Sequence, residues 1–163
     1  MAAAPRRDLL PTVLDRLLEP EDGTAAGTAS RTRRMAMLRN QVRRDLESLL
    51  NTHKRCLSPP PGLSELEPSV VEYGLPDFLA VYAGATTFRE EFRRTVEDTI
   101  RRYEPRFIKV TVTLVDDGSE IDRTLRFRID ALMVADPAPE PVVYESRLEP
   151  ATQSFLVGLG RDV

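Results

Sequence analysis

The stretch Ile100-Arg-Arg-Tyr-Glu-Pro-Arg-Phe-Ile-Lys-Val-Thr-Val-Thr-Leu-Val115 decides the fold, because the spacing of its apolar residues changes at the proline. Upstream, Phe88, Phe92, Val96, Ile100 and Tyr103 recur at nearly every fourth position, which predicts an amphipathic helix over about 87–103. Downstream, Ile108, Val110, Val112 and Leu114 alternate with Lys109, Thr111 and Thr113, which predicts a strand with one apolar face. Pro105 donates no backbone hydrogen bond and disfavours helical geometry at Glu104, so the chain turns there. Glu104 and Arg106 flank this rigid residue. They are either held apart as an outward, two-sided anchor, or paired with each other or a helix end for about 0–1 kcal/mol if exposed.

Beyond Val115, Asp116-Asp117-Gly118-Ser119 predicts a turn, and the returning strand sets Leu125, Phe127, Ile129, Ala131 and Met133 against Arg126, Arg128 and Asp130. Two shorter strands are expected at about 142–148 and 153–159. Before the decisive stretch, Met35, Leu38, Val42, Leu46, Leu49 and Leu50 recur at steps of three and four, which predicts a helix over about 31–52. The economical architecture is α+β: amphipathic helices packed on a small antiparallel sheet.

Between the helices, Gly74 in Val70-Val-Glu-Tyr-Gly-Leu-Pro-Asp-Phe78 allows an unusual backbone angle, and Asp77 is placed to cap a short helix reaching about Tyr82. Leu10, Leu14, Leu17 and Leu18 give a short amphipathic element, and residues 19–30, with Pro20, Gly23 and Gly27, read as a linker. The expected organisation is therefore a short N-terminal helix with a flexible linker over 1–30 and one α+β domain over 31–163.

The helix over 31–52 carries Arg31, Arg33, Arg34, Arg39, Arg43 and Arg44 against Asp45 and Glu47. Such a face is either simply solvated or a docking surface for an acidic partner. Nucleic acid fits less well, because no aromatic interleaving accompanies the basic run and the whole chain has a net charge of −3. The imbalance is local. Residues 31–55 hold eight basic against two acidic side chains, while 60–77 hold four acidic and none basic.

Composition removes most chemistry. One Cys (Cys56) and one His (His53) exclude an internal disulfide, a cysteine-rich zinc site and a histidine metal cluster, and neither residue has the surroundings of a catalytic nucleophile or base. The sequence has no Gly-rich phosphate loop. A glycosidase needs two carboxylates flanking a sugar cleft, and only Glu72 and Asp77, beside Tyr73 and Phe78, stand in apolar surroundings. No apolar run approaches the roughly 20 residues that span a bilayer, and residues 1–7 lack the stretch of a secretory signal, so a soluble cytoplasmic protein is expected without direct membrane insertion.

Three blocks in order, Val42-Arg-Arg-Asp-Leu-Glu-Ser-Leu-Leu-Asn-Thr52, Tyr73-Gly-Leu-Pro-Asp-Phe78 and Ile100-Arg-Arg-Tyr-Glu-Pro-Arg106 leading into the following strand, resemble the baseplate wedge family shared by contractile phage tails and the type VI secretion system. Leu14-Asp-Arg-Leu17 is similar to that family's opening segment. His53 stands where members often carry Arg, and Glu-Pro-Arg-Phe replaces the usual Glu-Pro-Arg-Leu. The resemblance implies a structural, non-enzymatic protein without cofactor or metal. It would dock on the wedge proteins TssF and TssG near TssK and present its sheet to the first ring of the TssB–TssC sheath. It also implies wedge contact through Glu104, Pro105 and Arg106, with Arg106 forking onto a partner carboxylate and Glu104 making a reciprocal pair. Arg43, Arg44, Tyr73 and Asp77 complete the expected partner-binding set. Family relatives carry a lysozyme-related label, so a peptidoglycan-cleaving enzyme stands as the alternative, and a free-standing binding module as a third reading.

Overall fold

A computed structural model of the chain describes residues 31–55, 62–66, 69–76, 86–115, 125–135, 138–149, 152 and 154–160. The expected segment over 1–30, the Asp77-capped helix and the turn at 116–119 lie outside the described residues.

The periodicity of three and four builds two long helices, α1 (Arg31–Leu50) and α2 (Thr86–Tyr103). Every apolar position that defined the first expectation is buried: Met35, Leu38, Val42, Leu46, Leu49 and Leu50. On α2 the buried stripe is Phe92, Val96 and Ile100, with Tyr103 half-buried against the core. Glu104 N–H still donates to Ile100 O at 2.9 Å, closing the last turn, and Pro105 then stops the helix. Single 3-10 turns at Ser64–Leu66 and Val70–Glu72 stand in the connection.

Four strands follow: β1 (Phe107–Val115), β2 (Leu125–Met133), β3 (Glu140–Glu149) and β4 (Ser154–Leu159). They form an antiparallel sheet in the order β1-β2-β3-β4, as expected of a meander. Val110, Val112, Phe127, Ile129, Met133, Tyr144, Phe155 and Val157 are buried on the face that receives both helices. Phe92 of α2 meets Phe127 edge-on at 5.4 Å and stacks on Phe155 at 6.3 Å, tying the helix to β2 and β4. Each fully buried side chain of this size contributes about 1.5–3 kcal/mol. The opposite face is polar and open, with Lys109, Thr111, Thr113, Arg126, Glu145 and Arg147 exposed.

One expected core position is corrected. Ile108 is 56% exposed rather than buried with Val110 and Val112. The register slips between Phe107, opposite Met133, and Lys109, opposite Leu132, so alternation restarts there. Phe107 instead packs against the core, its ring 6.3 Å from that of Tyr144.

Both outer strands have their backbone edges engaged by side chains of the helices or, for Asn51, of the residue that follows α1. Arg93 Nη1 donates to Val112 O at 3.0 Å, and Val112 N–H donates to Glu97 Oε2 at 3.1 Å. At the other edge, Phe155 N–H donates to Asn51 Oδ1 at 2.8 Å, Asn51 Nδ2 donates back to Phe155 O at 2.9 Å, and Arg43 Nη1 donates to Val157 O at 3.1 Å. Each long helix thus lies along one edge of the sheet.

Candidate functional site

The corner between α2 and β1 brings the three recognisable sequence blocks together. Arg106 Nε donates to Glu104 Oε1 at 2.6 Å and Nη2 to Glu104 Oε2 at 2.5 Å, so the guanidinium grips the carboxylate with two bonds. Glu104 Oε1 also accepts from the Arg106 backbone N–H at 3.1 Å. The same Nη2 donates to Asp45 Oδ2 of α1 at 2.5 Å. Arg106 Nη1 is buried and has no hydrogen-bond partner.

This geometry corrects the two-sided outward anchor. Glu104 and Arg106 turn toward each other across Pro105, and Glu104 is 4% exposed. Pairing gives the buried carboxylate a counter-ion. Burial opposes the charge on Arg106, but the carboxylates of Glu104 and Asp45 outweigh it and raise its pKa. What the corner presents outward is Pro105, which is exposed, and Asp45, whose side chain is 40% exposed.

Tyrosines wall the ion cluster. Tyr73 is half-buried and its ring meets that of Tyr103 edge-on at 5.1 Å. Tyr103 Oη donates to Ser69 O at 3.3 Å. Burial, and then the negative charges of Asp45 and Glu104, raise the Tyr73 pKa above its usual value. On the core side, Tyr144 is fully buried, its hydroxyl donates to Arg39 O at 3.2 Å, and burial first, then Glu104, raises its pKa.

Tyr73 is positioned by a short crossing of two loops. Leu75 N–H donates to Thr52 O at 2.8 Å and Lys54 N–H to Leu75 O at 2.7 Å, so His53 and Leu75 pair as a parallel bridge. The approach requires Gly74, whose φ is 106°; a Cβ there would stand 2.3 Å from Thr52 O. The Asn-Thr and Tyr-Gly-Leu-Pro segments are thus two sides of one contact.

The other expected residues are divided. Arg43 donates to Glu47 Oε2 at 2.8 Å as well as to Val157 O, so it serves the interior of the molecule. Arg39 of the same face pairs with Glu140. Arg44 is exposed, and Asp77 lies outside the described residues. Glu72, one of the two carboxylates considered for hydrolysis, is 4% exposed and paired with Lys54, which does not present it to a sugar. Among the described residues, no group of three or more His, Cys, Asp or Glu is placed to hold a metal ion, and no helix is long and apolar enough to cross a membrane.

Sequence reasoning passed over Asp45 and Asn51. Both lie in the Val42–Thr52 block, but their partners stand 61 and 104 residues away, and no local periodicity points to them. A groove of about 410 Å³ opens elsewhere, between the first half of α1 and the ends of β3 and β4, lined by Met35, Arg39, Glu140 and Leu159 among others.

Residues 36–138 match the family described as "Baseplate wedge protein gp25". Comparison with curated protein sequences returns no match. Among solved structures, the chain is similar to one in "The baseplate complex from the type VI secretion system", with 17% identity, a TM-score of 0.48, and coverage of 70% of this chain and 96% of that one.

Proposed function

The chain belongs to the baseplate wedge protein gp25 family, and from that premise we propose that it is a non-enzymatic structural component of a contractile-system baseplate wedge. The observation that carries this reading is the corner itself. Asp45, Tyr73, Tyr103, Glu104, Pro105 and Arg106 converge from three separated segments into one rigid, partly exposed surface. The bonds that fix it are those of a docking shape rather than of a reacting centre, since the Glu104 carboxylate is held on both oxygens by Arg106.

More finely, the protein is a TssE-type subunit of a type VI secretion baseplate, working in the cytoplasm at the inner membrane. Its α2–β1 corner docks on TssF and TssG near TssK, and its sheet meets the first ring of the TssB–TssC sheath and helps sheath assembly to start. In support of the wedge contact, Pro105 and Asp45 are outward and Arg44 is exposed nearby in sequence. For the sheath contact, the open polar face of the sheet fits better than a strand edge, because Val112, Phe155 and Val157 already spend edge groups on side chains of the helices and of Asn51. Glu104, Arg106, Arg43 and Tyr73 then act mainly by holding the docking surface in shape, while Asp77 remains a proposed contact.

The test is co-purification with the wedge proteins. Arg44→Glu, on an exposed side chain, and Glu104→Ala are each expected to lose the complex, with circular dichroism reporting the fold separately. Unchanged complex formation by both folded variants refutes the docking role, and release of cell-wall fragments by the purified protein, abolished by Glu72→Gln, refutes the non-enzymatic one.

A further inference from the structure

The sequence of β4, Ser154-Phe-Leu-Val-Gly-Leu159, contains no charge and no proline. It is an outermost strand of the described sheet. An apolar, uncharged edge strand is a template for pairing with another chain, and proteins usually blunt such edges with charges, prolines or bulges. β4 carries none of the first two.

The pairing pattern identifies the exposed edge groups. Gly160 N–H donates to Val143 O at 2.9 Å, so residues 154, 156, 158 and 160 face β3, and the backbone groups of Phe155, Val157 and Leu159 face away from it. Three of those outward groups are held by side chains of α1 and of the residue that follows it. The Asn51 carboxamide occupies both the N–H and the C=O of Phe155, as a residue of a neighbouring strand would, and Arg43 occupies the C=O of Val157.

We propose that Asn51 and Arg43 are edge guards that keep β4 from pairing with β4 of a second copy of this chain. The occupant follows from the strand's self-complementarity. In a two-fold antiparallel pairing centred on Val157, its outward N–H and C=O meet the same groups of the other copy, and Phe155 meets Leu159. Within β4 itself no like charges oppose each other across that pairing, whereas the two Arg43 guanidiniums would meet near its axis and oppose it while they stay in place. Leu156 and Leu159, 43% and 46% exposed, add apolar contact at the junction.

β1 is guarded more firmly. Arg93 and Glu97, which hold Val112, pair with each other at 2.7 Å, and each has a further ion-pair partner, Glu90 for Arg93 and Arg101 for Glu97. On β4, Phe155 depends on one neutral carboxamide that follows the last residue of α1. Removal of that one side chain therefore frees both outward groups of Phe155, while Arg43, paired with Glu47, still holds Val157 O. This inference is independent of the baseplate reading.

Sedimentation velocity on the purified full-length chain tests it, across a concentration series. Asn51→Ala is expected to raise the self-association constant about tenfold over the unsubstituted protein, with the added loss of Arg43→Ala raising it further. Leu159→Pro in the Asn51→Ala background removes one outward N–H at an exposed position and is expected to restore the original behaviour. Should Asn51→Ala melt too early, Asn51→Asp keeps the acceptor for Phe155 N–H, loses the donor to Phe155 O, and is expected to give a smaller increase. Folded Asn51 variants that associate no more than the original protein overturn the proposal. So does association that Leu159→Pro leaves unchanged.

Discussion

Arg106 reaches from the turn just before β1 to Asp45 on α1, with Nη2 at 2.5 Å from Oδ2, while its Nε and the same Nη2 grip Glu104. The two acids differ in setting. The Glu104 side chain is 5% exposed and that of Asp45 40% exposed, so Arg106 is the counter-ion of a buried charge on one side and of a solvated charge on the other.

Removing the counter-ion is therefore costly. Arg106→Ala leaves the Glu104 carboxylate buried without its partner, and the loss is expected to be about 3–5 kcal/mol. Urea denaturation at pH 7 measures it. A loss below about 1 kcal/mol would mean that water reaches Glu104 freely.

Asp45→Asn is expected to cost far less, about 1 kcal/mol or under, because the lost ion pair is partly screened by solvent and Asn keeps an acceptor for Arg106 Nη2. The contrast, measured by the same denaturation series, separates a stabilising role for Asp45 from a surface role. If Asp45→Asn matches Arg106→Ala in cost, the cluster acts as one buried unit instead.

These two outcomes bear on what could be read from the sequence. The change of period at Pro105 located the α2–β1 junction because hydrophobic spacing is a local signal, and all six apolar positions proposed for α1 are buried. Ile108 went astray because a one-residue bulge resets alternation without changing composition. The site was half legible. Glu104-Pro105-Arg106 stood out as a block, but the choice between outward and inward charges depended on Asp45, which only the packing of α1 brings within reach. Asn51 was invisible as an edge cap for the same reason, since Phe155 lies 104 residues downstream.

Gly74→Ala tests the crossing that seats Tyr73. At φ 106° an L side chain is strained, and its Cβ would stand 2.3 Å from Thr52 O, a backbone atom that cannot rotate aside. The expected loss is about 1–3 kcal/mol or more, with faster amide exchange at Lys54 and Leu75, whose N–H groups make the bridge. Exchange unchanged at those two amides would show that the loops hold without it.

Acid sensitivity is expected to come from α2. Side-chain hydrogen bonds from Arg93 and Arg94 lower the Glu90 pKa from the usual 4.5 to about 2. Burial pushes Glu97 upward, but the Val112 N–H, Arg101 and Arg93 outweigh it and hold it below its usual value. For carboxylates depressed in the folded state, the unfolded chain takes up protons first as pH falls. The contribution of Glu90 is thus present above its usual 4.5 and lost as pH falls toward about 2, and that of Glu97 is lost in the same direction, as pH falls below the usual carboxylate range. Glu97→Gln removes the charge that binds Arg93 and Arg101 while keeping an acceptor for Val112 N–H, and is expected to cost about 1–2 kcal/mol at pH 7. The deficit should shrink on acidification, because the original protein is losing the same interaction by protonation. Urea midpoints of the two proteins measured from pH 6 to pH 2 should converge, and curves that stay parallel would place the acid-labile group elsewhere.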